Sequence, residues 1–239
     1  MSLDSPPPVC ILAGGLGTRL GAIARAVPKG LVSVAGEPFL VHQLRQLRRD
    51  GLERVVLCVG HLGEQIERTL GRSCEGLAVE YSYDGPGLDG TLGAVRRAAP
   101  LLGPDFLIMY GDTFLQVDVR HFHTLWKSSN LPGGMTVYRN EGRFDRSNVV
   151  YRDGGIELYD KTTSDPEMMW IDYGLGALEI DALGAVPSDA RDLADLYGRL
   201  SRMDALYGYE VKSRFYEIGS PAALAETAEF LRSRRARDD

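Results

Sequence analysis

Gly14, Gly15 and Gly17 stand where an apolar run, Val9-Cys10-Ile11-Leu12-Ala13, ends. Glycines at a strand end leave backbone N–H groups open to a ligand, so such a loop can wrap an anion. Thr18 and Arg19 follow; Arg19 offers a planar, permanently charged fork suited to phosphate oxygens, and Lys29, ten residues on, adds a point charge. The combination reads as a triphosphate cradle. The glycines alone fit an ordinary β-to-α turn equally well. A P-loop is excluded because no Gly-Lys-Ser/Thr closes the loop. The dinucleotide fingerprint is met only in part, since Leu20 stands where its third glycine belongs.

Asp112, in Tyr110-Gly111-Asp112-Thr113, follows a second apolar run, Phe106 to Tyr110. Magnesium takes hard oxygen ligands and often only one or two protein carboxylates beside substrate phosphates, which Asp112 could supply. The competing reading is a turn aspartate that caps the next helix. His121 and His123, two apart, fall on different helix faces and read as surface histidines rather than metal ligands. Arg232, Arg234, Arg235 and Arg237 are balanced by Asp238 and Asp239, which reads as a solvated helix end. Cys10, Cys58 and Cys74 have neither metal-ligand nor redox spacing, and the first two lie in apolar strand patterns that mark core. No Gly-x-Ser-x-Gly elbow is present.

These residues need a frame. The chain has 239 residues, 44% hydrophobic and 25% charged, enough for one large α/β domain. A net charge of −6 argues against tracking a nucleic-acid backbone, so any anion site must be a local concentration of cations and N–H groups. No apolar stretch reaches the ~20 residues that cross a bilayer, and a cytoplasmic location is expected. Apolar spacing predicts a helix from Pro38 to Arg49, a strand over 54–59, a helix over 64–70, a strand over 79–83, a helix over 91–99 and a strand over 106–110. That alternation implies a mostly parallel, doubly wound, Rossmann-like sheet with ligands at the strand C-termini. The second half changes to short β-like runs at 134–139, 148–152, 156–159 and 168–180, an antiparallel extension, with no long helix until about Asp192. A last strand is expected over 211–218, then a helix over 221–233 begun by Ser220 and Pro221, then a fraying charged tail from Arg234. The expected organisation is one domain over 1–239, with a nucleotide-binding half over about 9–130 and a sugar-phosphate half over about 131–233.

The ordered string Leu12-Ala13-Gly14-Gly15-Leu16-Gly17-Thr18-Arg19-Leu20, then Pro28-Lys29-Gly30-Leu31 and Val34-Ala35-Gly36-Glu37-Pro38-Phe39-Leu40, resembles the signature of the sugar-1-phosphate nucleotidylyltransferases. Within them it is most similar to the bacterial mannose- and heptose-1-phosphate guanylyltransferase-like branch, which has the nucleotide-diphospho-sugar transferase fold. The resemblance continues through Asp89-Gly90-Thr91-Leu92-Gly93-Ala94, against a usual Leu-Gly-Thr-Gly-Gly-Ala on the nucleobase side. Asp160-Lys161-Thr162 stands where the family has Glu-Lys-Pro, and Asp172-Tyr173-Gly174 where Asn-Ala-Gly lines the sugar pocket. In Tyr216-Glu217-Ile218-Gly219-Ser220, Glu217 replaces the aspartate that serves as second metal ligand.

The resemblance implies transfer of a nucleotidyl group from a nucleoside triphosphate to a sugar 1-phosphate, with Mg²⁺ as cofactor. It assigns N–H donation to Gly14, Gly15 and Gly17, the β/γ-phosphates to Arg19, the α-phosphate to Lys29, the sugar phosphate to Lys161, and the metal to Asp112 and Glu217. Leu12, Ala13, Thr18, Gly90, Thr91 and Gly93 complete the nucleotide side, and Asp160, Asp172 and Gly174 the sugar side. GTP is favoured if Asp89 accepts from the neighbouring N1–H and amine of guanine; alternatively Asp89, beside Gly87 and Gly90, shapes a turn. A uridylyl-, cytidylyl- or thymidylyltransferase of the same fold and a nucleotide-sugar-binding regulatory subunit are the alternatives. A glycosyltransferase is disfavoured because Asp112-Thr113-Phe114 lacks the second acid of Asp-x-Asp. Homo-oligomerisation is left open.

Overall fold

The computed structural model describes residues 6–15, 17, 20, 26–85 and 90–238. Thr18, Arg19 and Asp89 lie outside the described residues.

A ten-stranded mixed sheet runs through the chain. Its first half contains β1 (Val9–Leu12), β4 (Arg54–Val59), β5 (Ser73–Cys74), β6 (Leu77–Tyr83) and β7 (Asp105–Tyr110). Its second half contains β9 (Gly133–Arg139), β10 (Val149–Arg152), β11 (Gly155–Tyr159), β12 (Trp170–Glu179) and β13 (Leu206–Val211). The spatial order is β10-β11-β13-β9-β12-β7-β1-β4-β6-β5. β1 lies parallel between β4 and β7, and β4 pairs parallel with β6. β12 then pairs antiparallel with both β7 and β9, which joins the two halves in one ladder. Two short ladders stand apart: β2 (Ser33–Val34) with β3 (Glu37–Pro38), and β8 (Thr113–Phe114) with β14 (Tyr216–Glu217).

Alternation along the strands divides the core between the two faces of the sheet, because successive side chains point oppositely. Val9, Ile11, Val55, Leu57, Leu107 and Met109 pack with Leu40, Leu44 and Leu47 of helix α1 (Phe39–Arg49), Ile66 of α2 (Gly63–Leu70) and Phe122 and Trp126 of α4 (Val119–Ser129). Cys10, Val56, Cys58, Phe106 and Ile108 face the other way, onto Val95 of α3 (Gly90–Ala98) and Leu196 and Leu200 of α5 (Leu193–Ser201). Cys10 and Cys58 are buried free thiols 3.4 Å apart, as core residues should be.

Three expectations are corrected. The strand expected over 211–218 is instead β13, Leu206–Val211, and the two-residue β14. β13 pairs parallel with β9, and Gly208 within it, which disguised the strand, receives the Tyr151 ring where a side chain would otherwise stand. The last helix, α6 (Pro221–Asp238), continues beyond 233. Its Arg234 lies over the Phe114 ring, 5.3 Å from the centroid, so this part of the tail is packed rather than frayed. Among the described residues no helix is long and apolar enough to cross a membrane.

Candidate active site

The C-terminal ends of β1, β4, β6 and β7 open into a cleft of about 470 Å³. It is lined by Leu12, Ala13, Gly14, Gly15 and Gly17 from the glycine loop, Lys29 and Gly30, Cys58, Asp84, Gly90, Thr91 and Ala94, and Tyr110-Gly111-Asp112. A Cβ at Gly14 would lie 2.6 Å from a carboxylate oxygen of Asp84, so that side chain would have to shift to admit one. The loop is tied to its neighbours by Ala13 N–H donating to the Cys58 carbonyl at 2.8 Å and Gly111 N–H to the Leu12 carbonyl at 2.9 Å.

Lys29 and Asp112 meet across this cleft. Lys29 Nζ lies 2.6 Å from Asp112 Oδ2, with side-chain exposures of 11% and 34%. Helix α1 positions both. Lys29 opens a 3₁₀ turn, Lys29–Leu31, whose Gly30 packs against Leu40. Buried Gln43 donates through Nε2 to the carbonyls of Tyr110 at 2.9 Å and Thr113 at 2.7 Å, and Gln46 donates to the Leu115 carbonyl at 2.7 Å. The loop carrying Asp112 is thus held by side-chain amides, which recover hydrogen bonds that a buried turn would otherwise lose. Thr113 Oγ1 also donates to Asp112 Oδ1 at 3.1 Å.

Glu217 reaches the same edge by strand pairing. It stands opposite Thr113 in the β8–β14 ladder, and Ile218 N–H donates to the Asp112 carbonyl at 3.0 Å. Thr227 of α6 donates to the Glu217 carbonyl at 2.6 Å and anchors the strand from behind. Asp112 offers a hard carboxylate oxygen of the kind Mg²⁺ takes beside phosphate oxygens, whereas Glu217 is not among the residues that line the cleft. Among the described residues there is no group of three or more His, Cys, Asp or Glu that could hold a metal by themselves.

The second half enters through Tyr110. Lys161 Nζ lies 5.9 Å from the centroids of both the Tyr110 and Tyr159 rings. Beneath it Asp172 accepts from Gly174 N–H at 3.0 Å and from the Tyr159 hydroxyl at 3.5 Å. Burial pushes the Asp172 carboxyl up, and the positive charge of Lys161 acts against that shift. Burial, with the Asp172 charge, also pushes the Tyr110 phenol up and keeps it protonated. Gly174 adopts φ +102° where β12 slips register against β9, a bulge that re-aims the Asp172–Gly174 segment.

The other residues expected on the sugar and base sides divide. Asp160 accepts from the N–H and hydroxyl groups of both Thr162 and Thr163 at 2.6–3.0 Å, which holds its carboxyl well below the usual range. Its carboxylate builds the turn that presents Lys161. Thr91 lines the cleft, but its hydroxyl donates to Asp192 at 3.1 Å and accepts from Leu193 N–H at 2.8 Å, tying α3 to α5. Gly93 lies within α3 and is not among the lining residues. Sequence reasoning missed Asp84 and the two glutamines. Asp84 follows Tyr83 at the end of β6 much as Asp112 follows Tyr110-Gly111 at the end of β7, a signal that was present. Gln43 lies in the apolar stripe of α1, where only the tertiary structure reveals its partners.

One edge of a mixed α/β sheet thus carries a glycine-rich loop and a Lys–Asp ion pair beside it. The profile of the MobA-like NTP transferase domain matches residues 9–230, and the chain belongs to that family. A mannose-1-phosphate guanyltransferase of Gibberella zeae is 26% identical over 220 residues, covering 88% of this chain and 60% of that protein. An N-acetylmuramate alpha-1-phosphate uridylyltransferase of Neisseria meningitidis is 37% identical over 131 residues, covering 54% of this chain and 55% of that protein. The matches therefore span less than two thirds of these relatives' lengths. The crystal structure of a putative glucose-1-phosphate thymidylyltransferase from Bacillus anthracis superimposes with TM-score 0.82 at 18% identity, over 94% of this chain and 95% of that one, which establishes the likeness of fold.

Proposed function

We propose that the protein is a sugar-1-phosphate nucleotidylyltransferase, most similar in action to the mannose- and heptose-1-phosphate guanylyltransferases. The observation that carries the reading is the Lys29–Asp112 pair at 2.6 Å, set across a cleft floored by the glycine loop. Membership in the family and the name of the Gibberella zeae relative support it.

In the proposed reaction an oxygen of the sugar 1-phosphate attacks the α-phosphorus of the triphosphate in line. The bond to the β-phosphate bridging oxygen breaks, and pyrophosphate leaves. The nucleophile is already anionic, so the chain needs no covalent intermediate, only alignment and charge neutralisation. The N–H groups of Gly14, Gly15 and Gly17 cradle phosphates, with Arg19 on the β/γ-phosphates. Lys29 leaves Asp112 for the α-phosphate and the departing oxygen. Lys161, raised over Tyr110 by the Asp160 turn, holds the sugar phosphate, with Asp172 and Gly174 beside it. Asp112 and Glu217 would hold Mg²⁺, which when bound offsets phosphate charge. Asp89 remains the proposed guanine reader, against its alternative as a turn former.

A matrix of GTP, UTP, CTP and dTTP against several sugar 1-phosphates with Mg²⁺, read by pyrophosphate release, tests the proposal. Release with GTP and a manno-configured sugar 1-phosphate is expected. Release with a pyrimidine nucleotide alone would overturn the guanylyl assignment, and no release from any pair would overturn the enzymatic one.

A further inference from the structure

Three arginines near the C-terminus, Arg232, Arg234 and Arg235, line a groove. Helix α6 lays Leu231, Arg232, Arg234 and Arg235 alongside His42, Arg45 and Arg49 of α1, around a groove of about 330 Å³. Ala35, Phe114 and Leu231 give the groove an apolar part. His42, Arg45 and Arg49 share a helix face through spacings of three and four. No Asp or Glu lines the groove, although the chain as a whole carries a net charge of −6.

Neighbouring charges satisfy only part of this cluster. Arg45 is neutralised, since it bonds Glu37 at 2.8 and 3.0 Å and Glu75 at 2.9 and 3.0 Å. Arg234 spreads over the Phe114 ring, and His42 Nε2 meets the Val34 carbonyl at 2.7 Å. Arg232 and Arg235 are exposed and make no hydrogen bond or close ion pair among the described residues, though the Glu37 charge acts on Arg235 at longer range. Like charges gathered round one concavity repel one another until an anion enters, and guanidinium forks match phosphate oxygens. The size of the groove favours a small molecule over a macromolecular surface.

The groove is not the catalytic cleft, for the two share no lining residue. They are nevertheless close along the chain. Phe114 stands two residues after Asp112, and Tyr216, before Glu217, stacks on Phe230 of α6 with ring centroids 3.9 Å apart. We propose that this groove is a second anion site, for a small phosphate-bearing molecule with two or more negative charges.

Inorganic pyrophosphate, titrated calorimetrically in Mg²⁺-free buffer, is the probe, with inorganic phosphate as the arm that tests for a single phosphoryl group. Lys29→Ala is the background, so that binding in the catalytic cleft is weakened independently. Pyrophosphate is expected to bind that background more tightly than phosphate does, and to slow amide exchange over 42–49 and 231–235. Adding Arg232→Glu and Arg235→Glu should weaken it about tenfold or more, whereas Arg232→Lys with Arg235→Lys should retain most of the affinity. Circular dichroism checks folding, and Arg232→Gln alone is a milder version of the same test. Equal affinity before and after charge reversal overturns the proposal. So does an absence of pyrophosphate binding to Lys29→Ala, or protection confined to the glycine loop.

Discussion

If Asp112 is a metal ligand, Lys29 competes for it before substrate arrives, and Lys29→Met should alter metal binding and turnover in opposite directions. The pair is separated by 2.6 Å, with exposures of 11% and 34%, so it lies between two regimes. Exposed pairs contribute up to about 1 kcal/mol, and breaking a buried one costs about 3–5 kcal/mol. An intermediate coupling of roughly 2 kcal/mol corresponds to about 30-fold in an equilibrium constant. Without nucleotide, Lys29→Met should therefore bind Mg²⁺ up to about 30-fold more tightly, because the carboxylate is released and a nearby positive charge is gone. Turnover should nevertheless fall by about 10²-fold or more, since a cation aimed at developing phosphate charge is lost. Calorimetric Mg²⁺ titrations of wild type, Lys29→Met and Asp112→Asn, with pyrophosphate release measured in parallel, separate the effects. Unchanged Mg²⁺ affinity in Lys29→Met would refute the competition, and wild-type affinity in Asp112→Asn would remove Asp112 as a ligand.

Gln43→Leu should destabilise the fold by about 2–3 kcal/mol in urea titrations, because two carbonyls lose their donor; it should also lower turnover through the displaced Asp112 loop, and full activity would show the loop to be held otherwise. Gly14→Ala should weaken nucleotide affinity in equilibrium titrations, since its methyl would press on the Asp84 carboxylate; unaltered affinity would mean that the loop yields freely. Arg19→Ala should leave thermal unfolding nearly unchanged while reducing turnover by orders of magnitude, and near-normal turnover would remove Arg19 from the proposed cradle. Asp50, at the C-terminus of α1, has its carboxyl pushed up to about 6 by burial first and the Asp118 charge second. In the acid range the native state then binds more protons than the unfolded one, so this group's contribution is fully present below about pH 4 and is lost as pH rises through 6. Asp50→Asn should be the more stable protein at pH 7.5 by roughly 2 kcal/mol, with the difference shrinking toward pH 4.5; a pH-independent difference in urea midpoints would refute it.

In the first half β1, β4, β6 and β7 were legible because each is a largely apolar run with a glycine or aspartate at or just past its end, and α1 to α3 because they are amphipathic, whereas the two-residue β2, β3 and β5 carry no such signal. The glycines and Asp112 were legible as cleft residues because strand ends in a parallel sheet converge on one edge, whereas Lys29, on a 3₁₀ turn, was legible only through its charge and the motif it stands in. The second half was harder. β13 hides behind Gly208, and the Asp172–Gly174 bulge has no local signature apart from Gly174. The roles of Asp160 and Thr91 depend on hydroxyls and N–H groups whose positions only the folded chain fixes. The arginine groove could not be read at all from α6 alone, because two of its five arginines come from α1, nearly two hundred residues earlier.

The antiparallel seam between β7 and β12 has a mechanical consequence. Leu175 to Glu179 pair residue by residue with Met109 down to Asp105, so the first and second halves of the chain cannot hinge apart without tearing a central ladder. Any widening of the cleft must then come from what lies outside the ladder, namely the loops at its rim and the two-rung β8–β14 clasp. In such a molecule the sheet acts as the anvil.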